Sequence, residues 1–234
     1  MIRRTLTAVA LAGAALTLAA CGPAAPSDPV QQKSEATTAP TATKPAGRLA
    51  AVDTGYGVAD GNAWAASVIR NTTANIIAFS ASFSAYQGGT VIGHGSSTAI
   101  IRAGATAGIG ADLDLPAGAK VSKVVVTLST LDSEKDTSPS SRFTATGVHY
   151  QADEYGMASV LGEVRSSYVQ DVTNVQVQVI CYGQSGHING GGVAWVDAIG
   201  HGQTVGFSAD LVTVSGTPAR CVAYPLVSGL SEGS

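Results

Sequence analysis

The sequence predicts an all-β chain in which two tandem antiparallel β-sandwiches follow a short leader and a structureless tether. Three observations carry this expectation. Two long blocks of the chain repeat one another. Each block alternates apolar and polar residues with period two. Glycine clusters, rather than helix caps, separate the alternating runs.

Arg3 and Arg4 stand before an apolar segment from Leu6 to Leu18. That run is too short for a comfortable membrane-spanning helix, so a cleaved signal over residues 1–20 is expected. It closes on Leu18-Ala19-Ala20-Cys21, which resembles the lipobox of bacterial lipoprotein signals. The resemblance implies cleavage before Cys21 and a diacylglyceryl group on its sulfur, since the thiol is the nucleophile that takes up the lipid. Two acyl chains, each gaining roughly 0.8 kcal/mol per buried methylene, would hold the protein at the extracytoplasmic face of the cell membrane. An ordinary secretory signal with an incidental cysteine is the alternative. The paired arginines lack the rest of a twin-arginine motif, and the general secretory route is expected.

Residues 21–47 hold the lipidated cysteine and then GPAAPSDPVQQKSEATTAPTATKPAG, in which Val30 is the single branched apolar residue. Such a segment cannot bury enough surface to fold and is expected to be a disordered tether, its ends roughly 30 Å apart as a coil. It would lift the folded part off the membrane toward the cell wall or envelope space.

Beyond the tether the chain repeats itself. Gly104 to Leu113 (GATAGIGADL) matches Gly202 to Leu211 (GQTVGFSADL) at a spacing of 98 residues. Upstream, Arg70 falls opposite Arg165 and Tyr86 opposite Tyr182. Near the ends of the copies, Val121 to Val126 falls opposite the segment around Cys221. The order of blocks indicates tandem duplication, with sandwiches over 48–131 and 143–234 and a linker over 132–142. Within the copies, Ile77, Phe79, Ala81 and Phe83 are expected on one face of a strand. Val175, Val177 and Val179 are expected opposite Gln176, Gln178 and Ile180. Gly88-Gly89 and the glycines from Gly183 to Gly192 supply turns.

Phe83-Ser84-Ala85-Tyr86-Gln87 and Val179-Ile180-Cys181-Tyr182-Gly183 resemble degenerate copies of the F-x-L-Y-D signature that names the FxLYD domain. Ala85 and Cys181 replace the leucine, and Gln87 and Gly183 replace the aspartate. The resemblance covers most of Arg48 to Tyr224, twice. It implies small immunoglobulin-like β-sandwiches on exported bacterial proteins and lipoproteins, and it carries no catalytic role to transfer.

Composition bounds the function. The formal charge is −3, and loss of Arg3 and Arg4 with the leader makes it −5. No basic patch exists to hold phosphates, which argues against nucleic acid as a partner. With Cys21 assigned to lipid, Cys181 and Cys221 are expected to form a disulfide in an oxidising exported compartment. Free thiols or a metal site fit less well, because neither CxxC nor clustered histidine accompanies them.

Chemistry-bearing patterns are sparse. Gly183-Gln184-Ser185-Gly186-His187 sets a serine near a histidine, but His187 stands where a nucleophile elbow needs glycine, and no helix follows. His94, His149, His187 and His201 lack ligand spacing, so no metal and no cofactor are expected. Asp112 and Asp210 recur at equivalent positions in separate copies, and each suits a strand end better than acid–base work. Asn71-Thr72-Thr73 is formally a glycosylation sequon, uninformative behind a bacterial lipobox. Trp64 and Trp195 are not duplicated; each is either core or a stacking surface for a sugar or partner. Tyr150, Tyr155 and Tyr168 admit the same two readings.

No catalytic residues are expected. The sequence therefore points to a membrane-anchored, non-enzymatic interaction lipoprotein binding another envelope protein or cell-wall component. A ligand-binding lipoprotein for a glycan, cell-wall fragment or small solute is the alternative, and an envelope hydrolase ranks third. The interaction reading requires an exposed apolar patch or an open sheet edge. Ligand capture requires a concave pocket, expected between the domains.

Overall fold

The structure is a computed structural model that describes residues 49–59, 61–137, 142–154 and 157–228. Cys21, the leader and the tether lie outside the described residues. The expected alternation becomes strands: β1 (Leu49–Ala59), β2 (Asn62–Asn71), β3 (Asn75–Gln87), β4 (Thr90–Ile101), β5 (Thr106–Asp112), β6 (Lys123–Lys135), β7 (Phe143–Ala152), β8 (Ala158–Ser166), β9 (Val172–Tyr182), β10 (Ile188–Ile199), β11 (Thr204–Asp210), β12 (Thr213–Val214) and β13 (Arg220–Val227). All strand pairs are antiparallel.

The duplication is visible in the topology. Sheet I is ordered β4-β3-β6 and sheet II β1-β2-β5. Sheet III is ordered β10-β9-β13 with β12 added beside β10, and sheet IV β11-β8-β7. Each copy therefore lays three consecutive strands and their returns in the A-B-E over C′-C-F arrangement of immunoglobulin-like sandwiches, with no final strand beside F among the described residues. Pairing repeats residue by residue. Tyr86 lies opposite Lys123 and Tyr182 opposite Arg220, and each cation sits over its tyrosine ring, at 4.7 Å and 3.9 Å. The β3–β4 hairpin turns on Gly88 and Gly89, both at positive φ, with Gln87 opposite Thr90 as a two-residue loop requires.

Sheets I and II enclose one core, built on Ile77, Phe79, Phe83, Ile69 and Ile109. Sheets III and IV enclose a second, built on Val160, Val164, Val175, Val177, Val179 and Ile199. Sheets II and III then pack against each other through a third cluster of Trp64, Ala66, Val68, Ile180, Tyr182 and Ile188. The described residues thus form four layers in the order I, II, III, IV, all within one compact unit.

The II–III seam departs from the sequence expectation. Alternation alone places Gln176, Gln178 and Ile180 on an open face, but Ile180 is fully buried and Gln178 is 1% exposed. The Gln178 side-chain carbonyl accepts the Gly110 N–H at 3.1 Å, which satisfies an otherwise costly buried amide. Glycines make the close approach possible. A Cβ on Gly108 would stand 2.3 Å from the Tyr224 ring, and one on Gly57 would meet the Asn189 carbonyl oxygen at 2.3 Å. Burying each of Trp64, Ile180 and Ile188 contributes about 2 kcal/mol, so the seam outweighs the freedom that separate domains would retain.

The segment expected as a linker also begins later. Asp132 to Lys135 continue β6, opposite Asn75 to Ala78. Leu131 is the extra residue of a β-bulge that keeps the strand paired while its charged end faces outward. Charge alone made this stretch look like a linker; an edge strand carries charge equally well. Residues 138–141 lie outside the described residues.

Cys181 and Cys221 are bonded and directly opposite each other on β9 and β13. With a sequence separation of 40, the bond closes a loop that the chain-entropy model credits with roughly 4 kcal/mol. It staples the edge strand β13 to the centre of sheet III.

If the seam makes one cooperative body, Gly57→Ala, which forces a Cβ against backbone atoms, should cost about 1–3 kcal/mol. Urea unfolding followed by the fluorescence of Trp64 and Trp195 and by far-UV circular dichroism should shift together. Separate unfolding of the two sandwiches in the unsubstituted protein would refute the fused-body description.

Candidate functional site

Most sequence-level candidates resolve into structure. Trp64 is buried in the seam, and its indole N–H makes no hydrogen bond among the described residues. Trp195 is the opposite case: on β10, opposite Gln176, it is 52% exposed. Asn71 is fully buried. Its amide N–H groups reach the Asn75 and Arg102 carbonyls at 2.7 and 2.9 Å, while its Oδ1 accepts from Thr73. It is a turn plug rather than a modification site.

Ser185 and His187 sit in the β9–β10 turn, closed by the Gly186 N–H to the Gly183 carbonyl. Among the described residues neither side chain hydrogen-bonds the other or His201. His201 Nδ1–H donates to the Tyr168 carbonyl at 2.7 Å, and His149 Nδ1–H to the Gly147 carbonyl at 2.9 Å. A contact not foreseen from sequence joins Ser84 Oγ and His94 Nδ1 at 3.4 Å on the outer face of sheet I. Asp112 and Asp210 end β5 and β11 in different sandwiches; burial raises the Asp112 carboxyl above the usual carboxylate range. No group of three His, Cys, Asp or Glu among the described residues is placed to hold a metal.

Two surface features remain. The first is the edge of β6. In an immunoglobulin-like sandwich the strand beside F continues the sheet, but here the chain leaves β6 for the second sandwich, and β6 pairs only with β3 among the described residues. It is the longest edge strand described, at 13 residues. Its inward side chains Val124, Val126 and Leu128 are only half-buried against the first core. Val125 and Leu131 are 42% and 61% exposed. The other edges of sheets I and III are guarded: β13 carries Pro225, β12 covers β10 at Gly190 and Gly191, and β4 is bridged at His94 by Asp114. From Lys123 to Thr130, β6 has neither proline nor bulge. The sequence signal was the alternating VSKVVVTLST run, but only topology shows that no further described strand follows it in the sheet.

The second feature is a groove where the sandwiches meet. A cavity of about 390 Å³ is lined by Ala59 and Asn62 from the first copy and by Tyr150, Met157, Leu211 and Thr213 from the second. Leu211 holds a left-handed backbone, φ 56°, and is 72% exposed, whereas its repeat counterpart Leu113 is buried. A non-glycine residue in that conformation stores about 1 kcal/mol or more of strain.

At the other end of β2 from this groove, beside Asn71, lies a clamp where the chain passes from β6 to the second copy. Arg102 Nε donates to the Asp136 carboxylate at 3.0 Å, Arg102 Nη2 donates to its other oxygen, and the Ala103 N–H adds a third bond at 3.1 Å. The Arg102 guanidinium lies 5.7 Å from the ring centre of Tyr168, which packs on Phe143 of the second copy. Burial pushes the Tyr168 hydroxyl up, and Arg102 partly offsets this.

Comparison with family models and with curated proteins found no match. Among solved structures, a β-glucuronidase from glycoside hydrolase family 2 aligns at 10% identity and a TM-score of 0.19, over 71% of this chain and 24% of that one. The chain corresponds to about a quarter of that protein's length, and a likeness this distant carries no argument about activity.

Asp136 is nearly inaccessible while Arg102 is part-exposed. Asp136→Ala should therefore cost about 3 kcal/mol, leaving the Arg102 charge and the Ala103 N–H without their acceptor. Thermal denaturation measures it, and a loss below about 0.5 kcal/mol would show the pair to be a weak surface bridge.

Proposed function

We propose that this chain is a lipid-anchored, extracytoplasmic interaction module of the bacterial envelope, held through Cys21 and presenting a rigid double sandwich. The observation that carries the reading is the edge of β6, which pairs only with β3 among the described residues. Unpaired main-chain groups flanked by Val125 and Leu131 suit the addition of an extended protein segment as a further strand, with main-chain bonds giving affinity and side-chain pockets specificity. The FxLYD-like repeat fits this reading as a scaffold rather than a source of chemistry. The Cys21 anchor rests on the lipobox alone.

Photo-crosslinking probes at Val125 and Leu131 in intact cells should capture a protein, whereas a probe at Glu163, on the polar outer face of sheet IV, should not. Equal capture by all three, or none by the β6 probes, would remove the edge as the contact.

The groove favours ligand capture as a second reading, because an outward, strained Leu211 beside Met157 at the junction is an apolar feature the first copy lacks. Under it, Leu211→Gly would raise stability by about 1 kcal/mol through relief of left-handed strain, and would weaken binding of muropeptides in a calorimetric titration. Trp195→Ala separates glycan stacking at that tryptophan from capture in the groove. Unchanged binding in both variants, or none in the parent protein, ends this reading.

A further inference from the structure

The facing of β6 residues makes its open edge complementary to itself. We propose that two copies of this chain associate by antiparallel pairing of β6 with β6 about a two-fold axis at Leu128, joining their β4-β3-β6 sheets into one. The inference rests on β6 being a strand-addition surface and names the added strand as that of a second copy.

Pairing with β3 fixes which way each residue points. Val124, Val126, Leu128, Thr130 and Ser133 lie opposite the inward, buried residues of β3. Lys123, Val125, Thr127, Ser129, Asp132 and Glu134 face outward, and Leu131 is the bulged extra residue. A two-fold at Leu128 sets Thr127 against the second copy's Ser129 and Val126 against its Thr130. Passing the bulge, it sets Val125 against Asp132, Val124 against Ser133 and Lys123 against Glu134. Inward meets inward and outward meets outward at every pair.

Slipping the register by one residue would set the two faces against each other. A slip of two toward Lys123 keeps the facing but shortens the paired span, and a slip of two toward Lys135 keeps facing and length but sets no opposite charges against each other. At Leu128 the full span coincides with opposite charges facing each other at both ends, Lys123 against Glu134 twice, with no like charges opposed. Tyr86 already holds the Lys123 ammonium over its ring on the outward side, 4.7 Å from the ring centre. The half-exposed Val124, Val126 and Leu128 would gain cover from their counterparts. Edge β13, the equivalent strand of the second copy, carries Pro225 and cannot form this ladder along its length. Copies anchored in one membrane meet at high local concentration, so a modest pairing energy suffices.

The test uses the full-length chain in bacterial membranes. Thr127→Cys and Ser129→Cys, carrying different tags, are expressed separately and together, then mildly oxidised. Both positions face outward, so neither change disturbs the core. The register requires a disulfide-linked dimer when the two are together and none with either alone. Lys123→Glu should weaken association about tenfold, and adding Glu134→Lys should restore it. Two results overturn the proposal but leave strand addition standing. One is self-linking of the Thr127→Cys variant alone. The other is a monomeric Thr127→Cys variant whose introduced thiol is linked to, or shielded by, another protein or residues 22–47. Free labelling of that thiol in membranes overturns both.

Discussion

The seam between sheets II and III is the constraint on which the rest of this structure depends. A β-sandwich normally has two solvated outer faces, and tandem sandwiches joined by a polar segment would ordinarily move independently. Here one outer face of each copy has been turned into interior. Trp64, Ile180, Ile188 and Tyr182 supply the apolar contact, and Gly57, Gly108 and Gly191 remove the side chains that would hold the sheets apart. Burial, with a hydrogen bond to Tyr182, pushes the Tyr224 hydroxyl well above the ordinary tyrosine range, and it stays neutral within the seam. The Arg102–Asp136 clamp then fixes one end of the same junction.

Duplicated positions show what the seam demanded. Gly108 and Gly206 occupy the same place in their copies, yet a Cβ on Gly206 would meet only the Gly162 carbonyl oxygen, at 3.9 Å. Only in the first copy is that position crowded by a neighbouring sheet. Trp64 sits opposite Asp112 on β5, and Ser159 sits at the matching place opposite Asp210 on β11, facing outward from sheet IV. On the outer face of sheet I, Ser80, Ser82 and Ser84 stand where sheet III has Gln176, Gln178 and Ile180. One face of each copy therefore became apolar and glycine-lined, while the other stayed small and polar. Both ends of the four-layer stack are polar, which disfavours face-to-face addition of further layers.

This divergence also explains what the sequence could and could not disclose. Alternation around Phe79 and Val177, the Gly88-Gly89 hairpin and the Cys181–Cys221 bond follow from period, turn geometry and the cysteine pair left once Cys21 is set aside, and each was legible. Gln178 was not. A glutamine alternating with valines reads as a solvated face, and only the approach of β5, nearly seventy residues earlier, makes it a buried hydrogen-bond acceptor. The same holds for Gly108 and Gly110, which look like turn residues until a second sheet lies on them. Asp132 to Lys135 misled for a related reason: charge marks exposure, and an edge strand is as exposed as a linker. Leu211 had no signal at all, because its duplicate Leu113 follows the same motif into the core.

Edge strands are where a fold of this type must choose between protection and use. A long unpaired strand invites uncontrolled pairing, so proteins ordinarily blunt it with proline, charge, a bulge or a covering segment. This chain applies those devices unevenly. On β13 there is Pro225 and a disulfide, β10 has β12 laid beside it, and β4 is bridged at His94. On β6 the bulge and the acidic residues come only after Thr130, where Asp132 also takes the Ser133 N–H. The eight residues before the bulge keep a regular ladder and valine-rich side chains, with a single lysine at their start. Protection confined to one end limits which registers can form without closing the edge. Under the proposed strand addition, an edge guarded in that way is selective rather than blocked, and selectivity is what distinguishes a docking strand from an aggregation hazard.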